Sequence, residues 1–345
     1  MPRRAVAALA AVLVVVAGAL VAWRLLAPTT PIEEALGYVP ADASRVSWTD
    51  WGAVRRELGA DVDARSSGEE VDAFVTEAFG ADLSSMSALG TSASTMQTEL
   101  GFSPASLRWE LLAQSTRGAV EVLGVGEGTS FDELADRLAD AGWTEPDEDD
   151  GVWVGGPDVV AGVGSLTPEL QHFVLLADRG VVLASDQAPY LEQVVEADDG
   201  ATDDMRAVVR ALGEPVAAAV YDGDYVCERL AMAQADEDDQ AEADQLLAAA
   251  GDVHPLTGFA MGVLPGGDLR AVMQVEDADD APGDADARAQ LAAGPAPGQG
   301  GDFTDRFSVE AASSDGREIT LDLEPEEGTY VLSDLTSGPV LFATC

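Results

Sequence analysis

The sequence predicts an α+β fold: an N-terminal membrane helix, then antiparallel sheet with helices on one face, built as two ferredoxin-like halves. Three observations predict it. Residues 5–23 carry no charge and follow Arg3 and Arg4. Strand-length apolar runs, several joined by Gly-containing turns, alternate with capped segments of helical period. The order strand, helix, strands, helix occurs twice, first from residue 118 and again from residue 216.

The uncharged run AVAALAAVLVVVAGALVAW has 19 residues. As a helix it spans roughly 28 Å, close to the hydrocarbon thickness of a bilayer. Arg3 and Arg4 are expected to stay on the cytoplasmic side, with Trp23 and Arg24 at the outer interface. Ala17-Gly18-Ala19 also fits a signal-peptidase site, so a cleaved signal peptide is the alternative to a signal-anchor. No Cys lies near this run, which excludes a lipoprotein. Both readings export the rest of the chain: a single-pass protein of the cell membrane with its domain outside the cytoplasm, or a secreted one.

Residues 27–31, APTTP, read as a stiff linker. Residues 45–48 read as a strand, and Thr49-Asp50 as the cap of a helix near Trp51. The anchor, the segment Tyr38-Val39-Pro40-Ala41-Asp42-Ala43-Ser44, this strand and the Asp-Trp helix start resemble uncharacterised exported or membrane-anchored proteins of actinobacteria. The resemblance covers about the first 60 residues and implies export, with no activity attached.

Residues 50–116 read as mainly helical. Val71, Phe74, Val75 and Phe79 have helical spacing, and Ser103-Pro104 looks like an N-cap and first-turn proline ahead of Leu107, Leu111 and Leu112. Four segments then follow as 1–27, 28–117, 118–213 and 214–345. In the third, 118–125 is a strand, and Ser130 with Glu133 opens a helix to 141. Residues 152–154 form a short strand, 172–177 and 181–185 a hairpin, and 189–197 and 203–212 two helices. In the fourth, 216–221 is a strand and 225–250 a helix that the acidic run 236–239 interrupts. A hairpin (258–264 and 268–275), a helix (285–291), a flexible Gly/Pro stretch (294–301), a hairpin (306–311 and 317–323) and a strand (340–344) complete it.

The chain has 345 residues, 47% of them hydrophobic, enough for a sizeable core. All 18 basic residues are Arg, and Asn is absent. That usage points to a GC-rich bacterial genome, with an acid-rich halophile as the alternative. Three arginines flank the apolar run, so the remaining 15 against 63 acids leave the domain at −48. Such a surface repels phosphate and gains no counterion-release energy, which argues against nucleic acid or an anionic lipid face. It reads first as a solvated surface kept soluble by self-repulsion, with a basic polypeptide, another envelope protein or divalent cations as the partners compatible with it.

No motif reaches the pattern its chemistry requires. Gly124-Val125-Gly126-Glu127-Gly128-Thr129 lacks the third glycine of a dinucleotide loop and puts a carboxylate where a pyrophosphate would sit, so it reads as a capping loop. His172 and His254 are the only histidines, and Gly90-Thr91-Ser92-Ala93-Ser94 only partly matches a nucleophile elbow. The acidic loops at 147–151 and 277–280 break the EF-hand spacing at Pro146, Ala281 and Pro282. No catalytic, cofactor or metal residue is assigned.

The two cysteines, Cys227 and Cys345, are the exception. A lone pair in an exported chain reads as one disulfide. It closes a loop of more than 100 residues, worth about 4–5 kcal/mol in the chain-entropy model. Strand 340–344 joining the sheet beside 216–221 would bring the two together. The function expected is a non-enzymatic binding or interaction module of the envelope. A hydrolase using carboxylates in a groove between the halves is the alternative, and a solute-binding module is a third reading.

Overall fold

The computed structural model describes residues 29–126, 128–197 and 200–345. The apolar run at 5–23 lies outside them. No helix among the described residues is long and apolar enough to cross a membrane.

Eleven strands form one antiparallel sheet in the order β10-β11-β9-β8-β7-β1-β2-β3-β6-β5-β4. They are β1 (Arg45–Thr49), β2 (Leu107–Gln114), β3 (Ala119–Val125), β4 (Trp153–Val154), β5 (His172–Leu176), β6 (Val181–Ser185), β7 (Ala217–Asp222), β8 (Leu256–Val263), β9 (Leu269–Val275), β10 (Phe307–Asp315) and β11 (Glu318–Pro325). The helices used below are α1 (Pro31–Ala35), α2 (Trp51–Leu58), α3 (Gly68–Gly80), α4 (Phe131–Ala141), α5 (Pro157–Val163), α6 (Ala188–Glu196), α7 (Asp203–Leu212), α8 (Glu237–Ala250), α9 (Ala281–Ala292) and α10 (Val331–Thr336).

The chain makes the same circuit twice. β1 leads through helices to the hairpin β2–β3, then α4, then β5 and β6, with β6 returning beside β3. β7 leads through helices to β8–β9, then α9, then β10 and β11, with β11 returning beside β9. β1 and β7 meet antiparallel with Ser47 opposite Ala219, so a local two-fold axis relates the units. Asp50 and Asp222 are mates under it. Each caps the turn after its strand, accepting from Ala53 N at 2.7 Å and from Tyr225 N at 2.6 Å. The repeat thus begins at Arg45 and Ala217, not at residue 118. Three sequence-consecutive strands lie side by side in each unit (β1-β2-β3 and β7-β8-β9), unlike the interleaved order of a split βαβ sandwich.

Helices cover both faces, where one was expected. Ala217, Ala219 and Tyr221 pack in one core with α2, α3, α4, α8, α9 and α10. Ala218 and Val220 pack in the other, against Met205, Val208, Val209 and Leu212 of α7 and against α1 and α6. A central strand that is apolar on both sides needs cover on both. The same feature explains β2, read from sequence as a helix. Trp109, Leu111 and Ala113 face the second core and Leu107 the first, so no alternation marks the strand.

Three further corrections have local causes. Thr30 and Glu33 form a reciprocal capping box, so α1 replaces the end of the expected linker. Asp236 accepts from Asp238 N and Asp239 N, so the acidic run starts α8, and the break falls before it, at Ala231–Ala235. Residues 340–344 are not a strand: Leu341–Ala343 is a 3-10 turn whose neighbouring carbonyls bond to Arg288.

Candidate functional site

A cleft of about 530 Å³ opens at the end of the central strands, where the two units join. Two residues of one rung of the sheet, Arg45 and Gln114, line it. Arg45 on β1 lies between Gln114 on β2 and Tyr221 on β7. The Tyr225 ring stacks on Tyr221 with centroids 5.3 Å apart, and the Tyr225 hydroxyl accepts from Arg45 Nη1 at 3.4 Å. Tyr221 is buried, which pushes its phenol well up. The other wall is the helical turn Gly223–Tyr225 and the π turn Val226–Leu230, which present Asp224, Glu228 and Arg229. Gly223 is required here: a Cβ on it would strike the Leu256 carbonyl, holding the turn off β8.

Burial pushes the Asp222 carboxyl up, and the nearby Asp224 and Glu228 charges add to this, against its bond from Tyr225 N. A raised carboxyl in a cleft is what a carboxylate hydrolase would show. Asp50, its mate under the two-fold, is also raised by burial but is not in this cleft. The shift therefore comes with the capping position.

The wall is braced from behind. Val340 N donates to Leu230 O at 2.8 Å, and Cys227 is joined to Cys345 with Cα atoms 5.5 Å apart. The pairing is as expected, but a 3-10 turn and not a sheet strand delivers Cys345. Arg288, fully buried on α9, holds this last segment through Nη1, which donates to Phe342 O at 2.8 Å and Thr344 O at 2.9 Å. Its Nε donates to the buried Asp284 Oδ2 at 3.1 Å, and its Nη2 to His254 O at 2.6 Å. His254 Nδ1 lies 2.7 Å from Asp284 Oδ1, and that bond raises the imidazole above its usual value. Burial lowers the Arg288 guanidinium.

A second buried polar group lies under the first unit. Glu110 and Glu121 are diagonal neighbours on β2 and β3, each at most 1% exposed. Glu110 accepts from Trp51 Nε1 at 2.9 Å, Ser87 Oγ at 2.7 Å and Ala88 N at 2.6 Å. No donor group reaches either Glu121 oxygen, and its one hydrogen bond is to the Glu110 carboxyl, which requires a proton between the two. Burial, then the Glu110 charge, push Glu121 far up, so the pair's proton sits there. A raised folded value gives stability that is full below the unfolded glutamate value, about 4.3, and is lost as pH climbs through the folded one. Glu121→Leu should therefore stabilise the domain by about 1–3 kcal/mol at pH near 8, with a smaller gain near pH 4. Urea unfolding of both proteins at the two pH values checks this; an equal difference at both would contradict it.

The other sequence candidates are not brought together. His172 is half-buried on β5, where burial lowers it, and its Nδ1 has no partner. Ser92 Oγ accepts from Thr167 N at 2.7 Å. In the loop at 124–129, Glu127 lies outside the described residues. A Cβ on Gly124 would strike the Trp109 ring, and Ser130 caps α4, so close packing and capping account for the loop. Asp277 caps its own turn through Asp279 N, and 147–151 is an exposed turn. Among the described residues no group of three or more His, Cys, Asp or Glu is placed to hold a metal. Sequence reasoning missed the cleft, whose residues come from 44–45, 114–116 and 222–229.

No family model and no curated protein matches the sequence. Two solved structures of a protein named TP0453 align along much of the chain. Crystal form I has 10% identity and a TM-score of 0.41, covering 92% of this chain and 99% of that one. Crystal form III has 8% identity and a TM-score of 0.41, covering 88% and 98%.

Proposed function

We propose that the chain is a non-enzymatic binding module of the cell envelope, anchored through residues 5–23, whose ligand enters the cleft between the two units. The observation that carries the binding reading is the divergence of the cleft from its symmetry mate. The rung Gln114, Arg45, Tyr221 corresponds across the two-fold to Val263, Ala217, Thr49. Val263, Ala217 and Thr49 are buried. The fold can therefore close this position with small and apolar side chains, yet at one end it carries Arg45 and Gln114 beside an open, charged cleft. The brace by Cys227–Cys345 fits an oxidising compartment, which supports export. The hydrolase reading loses its main support, because the raised Asp222 has a capping role that Asp50 repeats.

A photoreactive residue at Thr116, an exposed residue lining the cleft, tests this in native membranes. It should give an adduct that disappears when Arg229→Gln is added, whereas the same group at Asp178 should give none. Identical adducts from both positions, or none from Thr116, would contradict the reading.

A further inference from the structure

The charges of the cleft do not neutralise one another. Residues 31–345 hold 15 arginines among 63 acids. Six of these arginines, Arg117, Arg210, Arg270, Arg288, Arg306 and Arg317, each pair with one of the acids, and the other nine, Arg45 and Arg229 among them, form no ion pair among the described residues. In the cleft, Arg229 has no ion pair or hydrogen bond among the described residues, and Arg45 has only the neutral Tyr225 hydroxyl. Asp222, Asp224 and Glu228 line the same space without reaching either guanidinium. Gln114 Oε1 also lacks a donor, but it is closed to solvent and therefore does not face the open space of the cleft.

We propose that the cleft binds a small zwitterion of the amino-acid or short-peptide class. Asp222, Asp224 and Glu228 receive its ammonium group, and Arg45 and Arg229 its carboxylate. A purely anionic ligand meets three carboxylates and a domain of net charge −48, formed by 15 arginines against 63 acids. A purely cationic one leaves two guanidiniums unneutralised. The Tyr225 face gives the ligand's carbon skeleton an apolar wall. The volume, about 530 Å³, lies within the range of small-molecule sites.

This proposal rests on the cleft being the ligand site. Calorimetric titration of the full chain in detergent with tetraglycine, N-acetyl-tetraglycine and tetraglycine amide tests it. Tetraglycine should bind, and each blocked peptide about tenfold more weakly, the loss expected for one charge-assisted contact. Arg229→Gln should weaken tetraglycine by a similar factor but leave tetraglycine amide unchanged. Asp224→Asn should weaken tetraglycine and leave N-acetyl-tetraglycine unchanged. Both side chains are exposed, so neither change should disturb the fold. Equal affinity for all three peptides, or no heat with tetraglycine at millimolar concentration, overturns the zwitterion. If the Thr116 adduct still depends on Arg229 in that case, the cleft reading stands without it; if it does not, both fail.

Discussion

Replacing Arg288 by Met should destabilise the domain by about 3–5 kcal/mol, the cost typical of breaking a buried ion pair from one side. The guanidinium and the Asp284 carboxylate are both fully buried. Removing one leaves the other as a charge in a low-dielectric interior, with His254 as its remaining partner. The loss should be smaller at acidic pH, where a protonated His254 supplies a countercharge. The double change Asp284→Leu with Arg288→Met removes both charges and should recover much of the loss, because apolar replacement of a whole buried pair is often neutral. Chemical denaturation of the two single variants and the double variant gives the coupling. Additive losses would contradict the assignment. A second effect follows from the carbonyls that Arg288 holds: without it the 342–344 segment loosens, and the cleft wall behind Val340 and Leu230 loses its brace.

Cys227→Ser should cost about 2–5 kcal/mol, as is typical of a native disulfide. The bridge spans 118 residues of sequence, so the unfolded chain loses much freedom when it is closed. It also ties the Val226–Leu230 turn to the end of the sequence, and this turn carries Glu228 and Arg229. Loss of the bridge should therefore raise backbone exchange in 223–230 more than in α7, which packs on the other face of the sheet. Hydrogen exchange of wild-type and variant protein reads this; equal change in both regions would contradict it.

Much of the sheet was legible because its hairpins announce themselves. The turns at Asp178-Arg179-Gly180, Pro265-Gly266-Gly267 and Ser314-Asp315-Gly316 join β5–β6, β8–β9 and β10–β11 as read. Helix α7 was legible to the residue, since Thr202 caps it and Met205, Val208, Val209 and Leu212 fall on one stripe. β2 was not, because a strand buried on both faces loses its period of two and Ser103-Pro104 mimics a helix start. The apolar run 340–344 suggested a last strand, but the sheet edges are β10 and β4, and Arg288 collects the segment's carbonyls. The cysteine pair was legible from the count of two, the expected export and the position of Cys345 at the end of an apolar run. The cleft was not: a rung built from Arg45, Gln114 and Tyr221 exists only once three distant strands are in register. Glu121 was equally hidden, being one acid among 63 until β3 places it against Glu110.

We propose an exported domain with a ligand cleft, and its wall is stapled by Cys227 and Cys345. Acid-trapped protein from native membranes, alkylated without reduction and mapped by peptide mass, tests the staple where it has to exist. The expected result is one linked species containing both cysteines and no alkylated form of either. Two alkylated thiols in the unfolded, unreduced protein would contradict the claim.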